Sequence, residues 1–166
     1  MGASWSLFFL VISSNLRSWL KLAGPGFWVG FILVLTTLFF GSTVNGASRW
    51  LVLGAIQIQP SELIKPFVIL QAANIFANWN RLCGDQKLLW LSSFGALLLV
   101  ILKQPNLSTA GLIGILIWLI ALASGVRLIN LSLTALGGSL LGATSIFINE
   151  YQRIRVISFL NPWQDP

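Results

Sequence analysis

Histidine is absent from this 166-residue chain, cysteine occurs once, at Cys83, and charged residues make up 8% of it. A disulfide framework within the chain is thereby excluded, as are metal sites assembled from His and Cys. Cys83 reads most simply as a free thiol in a short loop. Acids are scarce: Glu62, Asp85, Glu150 and Asp165 are the full set, and any general acid or base the chain supplies comes from these. A basic run interleaved with aromatics is missing too. The net charge of +6 is spread over cations placed singly, which sets nucleic acid aside as a partner. No nucleophile–base arrangement, phosphate-cradling glycine loop, metal-ligand spacing or internal repeat is found. What is present is apolar: 56% of the residues are hydrophobic. So few charges cannot cover a water-facing surface, and membrane spans are the consistent reading.

Six apolar segments stand out: Ala3–Ser14, Phe27–Phe40, Ser61–Trp79, Leu88–Leu102, Leu107–Ser124 and Leu128–Ile148. A span needs about 20 residues, with roughly 17 to 25 in practice. The third, fifth and sixth reach that length. The second reaches it if counted from Pro25 to Gly41, the fourth is marginal and the first is short. Breakers mark the connectors: Gly24-Pro25-Gly26, Asn45-Gly46, Gln104-Pro105-Asn106 and Gly125. In the sixth segment Gly138 and Gly142 give a G-x-x-x-G spacing that permits close helix approach. Met1-Gly2 with Ser6 fits the loose myristoylation pattern, but the start lacks the basic n-region of a signal peptide, so the chain is expected to begin in or just before a span. Past the sixth segment, the tail from Tyr151 partly alternates cations with apolar residues, a pattern suited to a helix lying in the membrane interface. The expected fold is all-α, a polytopic transmembrane helix bundle over residues 1–148.

The cations divide by connector. Arg17, Lys21, Arg81, Lys87 and Arg127 fall on one side, and Arg49, Lys65, Lys103, Arg153 and Arg155 on the other. Counted flatly, the positive-inside rule is silent. Counting only the short loops puts Arg17, Arg81 and Arg127 in the cytoplasm. The five cations on the outer side then need another reason to be there. Phosphate oxygens gripped by guanidinium and ammonium groups are one, and snorkelling to lipid headgroups is the other.

The richest stretch runs from Val44 to Lys65. It holds Arg49, Trp50, Glu62 and Lys65 between two long apolar runs, where charge is costly unless something uses it. Glu62 and Lys65, three residues apart at the start of the third span, lie about 60° apart around a helix and are expected to pair. Gln71, Asn74 and Asn78 form a second stripe suited to hydrogen bonds between helices. Lys103 sits just before Gln104-Pro105-Asn106, where proline stops the fourth span, and reads equally as a capping or a functional lysine.

Three stretches together resemble the SEDS family of bacterial peptidoglycan polymerases (FtsW, RodA and SpoVE). They are Asn45-Gly-Ala-Ser-Arg-Trp50 with Gln59-Pro-Ser-Glu62 and Lys65, then Gln104-Pro-Asn-Leu-Ser-Thr-Ala110, then Tyr151-Gln-Arg-Ile-Arg155 running into Phe159-Leu-Asn-Pro-Trp163. The wording is nearer the division-type members than the elongation-type ones. The resemblance implies about six spans of a ten-helix fold, with residues 149–166 opening a large extracytoplasmic loop. It implies polymerisation of lipid II, in which an acceptor sugar hydroxyl displaces polyprenyl pyrophosphate, a leaving group that needs positive charge. Arg49, Lys65 and Lys103 match family positions facing that cavity, with Glu62 beside them. Trp50 is expected against sugar or lipid, an interfacial belt being its other reading.

By the same resemblance no catalytic residue lies in this chain. The family's aspartate is expected beyond Pro166, and Asp165 is not that residue. A divalent cation at the pyrophosphate is the one cofactor to which the resemblance gives a place. The implied partners are lipid II, the membrane, a class B penicillin-binding protein transpeptidase and divisome proteins. The implied location is the bacterial inner (plasma) membrane or the membrane of a bacterium-derived organelle. The chain departs from the family at Asn106 and Ser108, where Asp and Gly are usual, and this leaves an acidic role at 106 in doubt. A lipid II flippase and a non-catalytic divisome scaffold are the alternative functions.

Overall fold

In a computed structural model the described residues are 13–44, 47–53, 56–104, 106–148 and 150–160. They form helix α1 (Leu16–Phe40), strands β1 (Ser42–Val44), β2 (Ala47–Leu53) and β3 (Ile56–Ile58), and a short α2 (Pro60–Leu63). Then come α3 (Lys65–Ala77), a 3₁₀ turn (Trp79–Arg81), α4 (Gly84–Lys103), α5 (Leu107–Ala123), α6 (Leu128–Ile148) and α7 (Glu150–Leu160). Among the described residues three helices are long and apolar enough to cross a membrane, namely α1, α4 and α6, and α5 is a shorter apolar helix. The first apolar segment, Ala3–Ser14, lies outside the described residues except for its last two positions.

Several expectations change. The Gly24-Pro25-Gly26 breaker does not break anything: α1 runs through Pro25 for 25 residues. Proline removes one backbone hydrogen bond, but in lipid every remaining backbone group is better served by continuing the helix. The second and fourth segments are therefore full spans of 25 and 20 residues. The third, expected to be comfortable, is interrupted at Ile64 between α2 and the 13-residue α3. Pro66 accounts for the interruption, since its ring has no N–H to give and crowds the carbonyl four residues back, that of Glu62.

The order of the bundle follows from where side chains meet. A Cβ at Gly30 would stand 2.6 Å from Ile64 and one at Gly26 would stand 2.2 Å from the Phe67 ring, while Gly24 lies opposite Gln71. Rising numbers on one helix meet falling numbers on the other, so α1 is antiparallel to α2 and α3. Gly26 and Gly30 themselves form a G-x-x-x-G pair, and this is the seam that needs glycine. The pair singled out from the sequence does less. Nothing lies near Gly138, and Gly142 makes only ordinary contact with Leu107 at 3.9 Å.

Phe27, fully buried, meets Phe94 edge-on at 5.5 Å and Trp90 at 5.6 Å. Further along α1, Gln104 at the end of α4 donates to the Val34 carbonyl at 2.8 Å. Hence α1 and α4 run parallel. The Trp118 indole donates to the Leu131 carbonyl at 3.0 Å, while Leu107 meets Gly142, so α5 and α6 are antiparallel. The core is Phe27, Val34, Ile64, Val68, Leu97, Ile101 and Ile113. On α6 only Leu131 is buried. Its exposed leucines suit contact with lipid tails, against which burial offers no hydrophobic gain.

The connection after α1, read from the sequence as a charged loop, is a three-stranded antiparallel meander in the order β1-β2-β3. Val44 pairs with Ala47 across Asn45-Gly46, and Leu53 with Ile56 across Gly54-Ala55. Asn-Gly between strands is a hairpin signal that a reading of it as a mere breaker misses. β2 supplies the apolar and β-branched residues that a pleated ribbon packs.

Candidate functional site

The strands β1–β3, the interruption at Ile64 and the break between α4 and α5 all lie at one end of the bundle. Here α1 and α4 finish, and α3 and α5 start. Lys65, Lys103 and Arg153 sit at this end, as does the strand that carries Arg49. Arg17, Lys21, Arg81, Lys87 and Arg127 sit at the opposite end. There Lys87 Nζ lies 5.3 Å from the Trp79 ring centre, a cation–π contact.

Glu62 and Lys65 pair as their spacing predicts. Lys65 Nζ donates to both carboxylate oxygens of Glu62 at 2.7 Å. Lys65 is one-fifth exposed and Glu62 half-exposed. A pair this wet adds less than about 1 kcal/mol of stability. Its consequence is placement: the carboxylate holds the ammonium against the interruption and occupies two of its three donors.

Arg49 has a distinctive place on the backbone. Ser42 pairs with Trp50 and Thr43 with Ser48. Two steps along β2 therefore match one step along β1, and Arg49 is the extra residue of a β-bulge. Bulges re-aim the chain locally and recur beside active sites. Trp50, next to it, is half-buried. Lys103 is exposed in the last turn of α4, where a cation complements the helix dipole, and no carboxylate pairs with it among the described residues. Thus Arg49, Trp50, Glu62, Lys65 and Lys103 all come to one end.

Four of the buried polar residues, Thr37, Ser61, Gln104 and Gln152, were given no role of their own in the sequence reading. Gln104, 1% exposed, donates to the Val34 carbonyl and to Thr37 Oγ1. Thr37 Oγ1 donates in turn to Val34 at 2.6 Å. This relay clamps the end of α4 to the end of α1. Ser61 is buried and accepts from Gln59 at 3.1 Å. Gln152 is buried on α7 and accepts from Ser145 at 2.9 Å. Amides in an otherwise apolar sequence were the available signal. The amide stripe on the third segment is corrected in part: Asn78 bonds to the Asn74 carbonyl of its own helix at 2.9 Å rather than to a neighbour. A single turn brings those two together, and α3 ends there.

The groove between α1 and α2–α3 has a volume of about 370 Å³ and is lined by apolar side chains and glycine, among them Trp19, Val29, Leu33, Leu63 and Phe67. No three acids, cysteines or histidines gather among the described residues. Glu62, the carboxylate at this end nearest the cations, is already engaged by Lys65. The described residues thus do not make a divalent-cation site by themselves.

Residues 1–166 match the family model described as "Cell cycle protein", that of FtsW, RodA and SpoVE. A probable peptidoglycan glycosyltransferase FtsW of Synechocystis sp. is 49% identical over 163 residues, covering 97% of this chain and 41% of the relative. A putative peptidoglycan glycosyltransferase FtsW of Mesostigma viride is 45% identical, covering 89% of this chain and 35% of the relative. Among solved structures, a chain of a peptidoglycan synthase complex superposes with a TM-score of 0.71 at 28% identity, covering 99% of this chain and 50% of that one. The rod shape determining protein RodA of Thermus thermophilus gives 0.71 at 26% identity, covering 84% of this chain and 47% of that one. The chain spans roughly two-fifths of the length of these sequence relatives and half of the structural ones. It is a multi-pass helical membrane protein, and it belongs to the FtsW, RodA and SpoVE family of cell cycle proteins.

Proposed function

We propose that this chain forms the cationic part of the donor site of an FtsW-type peptidoglycan glycosyltransferase. The site acts on lipid II during septal wall synthesis, at the outer face of the bacterial plasma membrane or of the membrane of a bacterium-derived organelle. One observation carries the reading: Lys65, Lys103 and the bulge at Arg49 share the end of the bundle where α3 and α5 begin. Helix N-termini and cations at one place favour an anion. The names of the Synechocystis and Mesostigma relatives supply the reaction class.

In that reaction the acceptor hydroxyl oxygen bonds to the anomeric carbon of the donor as the bond from that carbon to the pyrophosphate oxygen breaks. Negative charge grows on the departing pyrophosphate. Arg49 and Lys103 neutralise it as it forms, and Lys65 adds the donor that Glu62 leaves free. Trp50 lies beside them against sugar or lipid. The hydroxyl proton passes to a general base that the whole protein supplies, not to an acid of this chain, and no step passes through a metal. A class B penicillin-binding protein transpeptidase and divisome proteins are the partners proposed for the whole protein, with residues 149–166 opening its extracytoplasmic loop. A flippase would need a polar path through the bundle, whereas the seam of Phe27, Ile64, Val68 and Leu97 is apolar.

The test is Arg49→Ala in the full-length protein, assayed with lipid II in proteoliposomes. Glycan polymer is expected to disappear while membrane insertion is unchanged. Normal polymer from that variant would count decisively against the assignment.

A further inference from the structure

The end of the bundle opposite the donor site carries charge that the chain itself does not answer. Arg17, Lys21, Arg81 and Arg127 are exposed there and Lys87 is partly buried. Asp85 is the only acid at that end among the described residues, and none of the five cations pairs with a carboxylate there. Orienting a membrane protein asks for such cations in number, not in any arrangement. Here three of them are arranged. Arg17, Lys21 and Trp28 follow one another at four and seven residues, about one and two turns, and so form a stripe along α1. Lys87, Trp90 and Phe94 form a matching stripe along α4, at three and four residues.

Aromatic contacts fix how the stripes meet. The two helices are parallel, with Trp28 6.1 Å from Trp90 and Phe27 5.6 Å from Trp90 and 5.5 Å from Phe94. At a rise of about 1.5 Å per residue, Lys87 lies ~5 Å and Lys21 ~10 Å from this contact, both towards the end that carries Arg17. Lys87 does not simply reach for water: its Nζ sits 5.3 Å from the Trp79 ring centre and bonds to no described residue. Trp28 is 39% exposed. The Trp19 and Trp118 indoles donate to Ser14 Oγ and the Leu131 carbonyl, whereas those of Trp28 and Trp90 make no hydrogen bond among the described residues. A tryptophan in this position ordinarily finds an acceptor for its N–H. Beyond Trp28 the α1 stripe continues through Ile32 and Leu35, both exposed.

We propose that the seam between α1 and α4 binds one anionic phospholipid of the leaflet opposite the donor site. Its phosphate sits between Lys21 and Lys87, with Arg17 one turn further out. Its glycerol ester carbonyls accept from the Trp90 indole, about one turn deeper, and an acyl chain lies along Trp28, Ile32 and Leu35. The stripe decides between a lipid and an acidic peptide. Trp28 to Leu35 lies within a helix long and apolar enough to span the membrane. A peptide laid there would leave its backbone groups without partners, while an acyl chain has none to satisfy. The site uses only the spans and their register, so it stands or falls apart from the donor site.

The experiment adds dioleoyl phosphatidylglycerol or dioleoyl phosphatidylcholine to the chain purified in detergent and counts bound lipid by native mass spectrometry. Wild type is expected to bind phosphatidylglycerol about tenfold or more tightly than phosphatidylcholine. Lys21→Gln with Lys87→Gln is expected to bring the two lipids within about twofold of each other. Lys21→Arg with Lys87→Arg is expected to keep the preference, as is Lys65→Gln with Lys103→Gln at the other end. Trp90→Phe keeps the ring and removes the N–H, and is expected to weaken both lipids alike by about fivefold. Should the glutamine pair fail to fold, Lys21→Gln alone, at an exposed position, is expected to cut the preference by about fivefold. Equal binding of the two lipids by wild type overturns the site, and so does a preference that survives loss of both lysines. Displacement of the lipid by a glutamate-rich peptide gives these cations to a protein partner and overturns the lipid as their occupant.

Discussion

Lys65 is held by the carboxylate it would otherwise lose to an anion, and this sets what its removal does. Lys65→Ala leaves Glu62 unpaired at the cationic end, where it repels phosphate. The double substitution Glu62→Ala with Lys65→Ala removes that repulsion. Pyrophosphate binding is therefore expected to fall further in the single variant than in the double one, by roughly tenfold, as calorimetry would read it. Equal losses would mean that Glu62 does no more than position its partner. The pairing itself was legible in the sequence, because a spacing of three residues puts two side chains on one helix face. The Gln104 relay was not. Its acceptors, Val34 and Thr37, lie on a helix that is 70 and 67 residues away in sequence, and nothing local announces them. Gln104→Leu removes both hydrogen bonds of the clamp and is expected to cost about 1–3 kcal/mol in chemical unfolding from micelles.

Among the elements, the seam between α1 and α2–α3 rests on two glycines. A methyl group at Gly30 would stand 2.6 Å from Ile64 Cγ1, inside any allowed contact. Gly30→Ala is expected to destabilise by about 1–3 kcal/mol in micelle unfolding, as overpacked cores do. Gly138→Ala, with open space around it, is expected to be close to neutral. Equal effects would undo the assignment of the seam. The apolar segments gave the order of the described helices because hydrocarbon demands long apolar runs, but three of them are long enough to span where more were expected. Their ends were harder to see, since a lipid-buried helix tolerates Pro25 in its interior, while Pro66, placed near a helix start, divides the third span. The meander was hidden for another reason. Two three-residue strands around a seven-residue one are too short for alternation to show, and only the Asn-Gly dipeptide betrayed them.

At the scale of the whole molecule, antiparallel packing sorts ten cations into two groups of five at opposite ends, which the distribution of connectors had indicated. The order of the spans, read from the sequence alone, placed Arg49, Lys65 and Lys103 together. The buried contact of Gln104 with Thr37 emerged only once the helices were packed. The central claim is that the Lys65–Lys103 end faces outward and holds pyrophosphate. The sole cysteine, Cys83, is exposed at the other end and provides a built-in control. Ser108 is exposed in the first turn of α5, beside the proposed site. The direct measurement is labelling with a membrane-impermeant maleimide, applied to intact cells, of the native protein and of Cys83→Ser with Ser108→Cys. The native protein is expected to stay unlabelled, and the variant to be labelled from outside and protected by geranyl pyrophosphate. External labelling of the native Cys83, or labelling of the variant that geranyl pyrophosphate leaves unchanged, would contradict it.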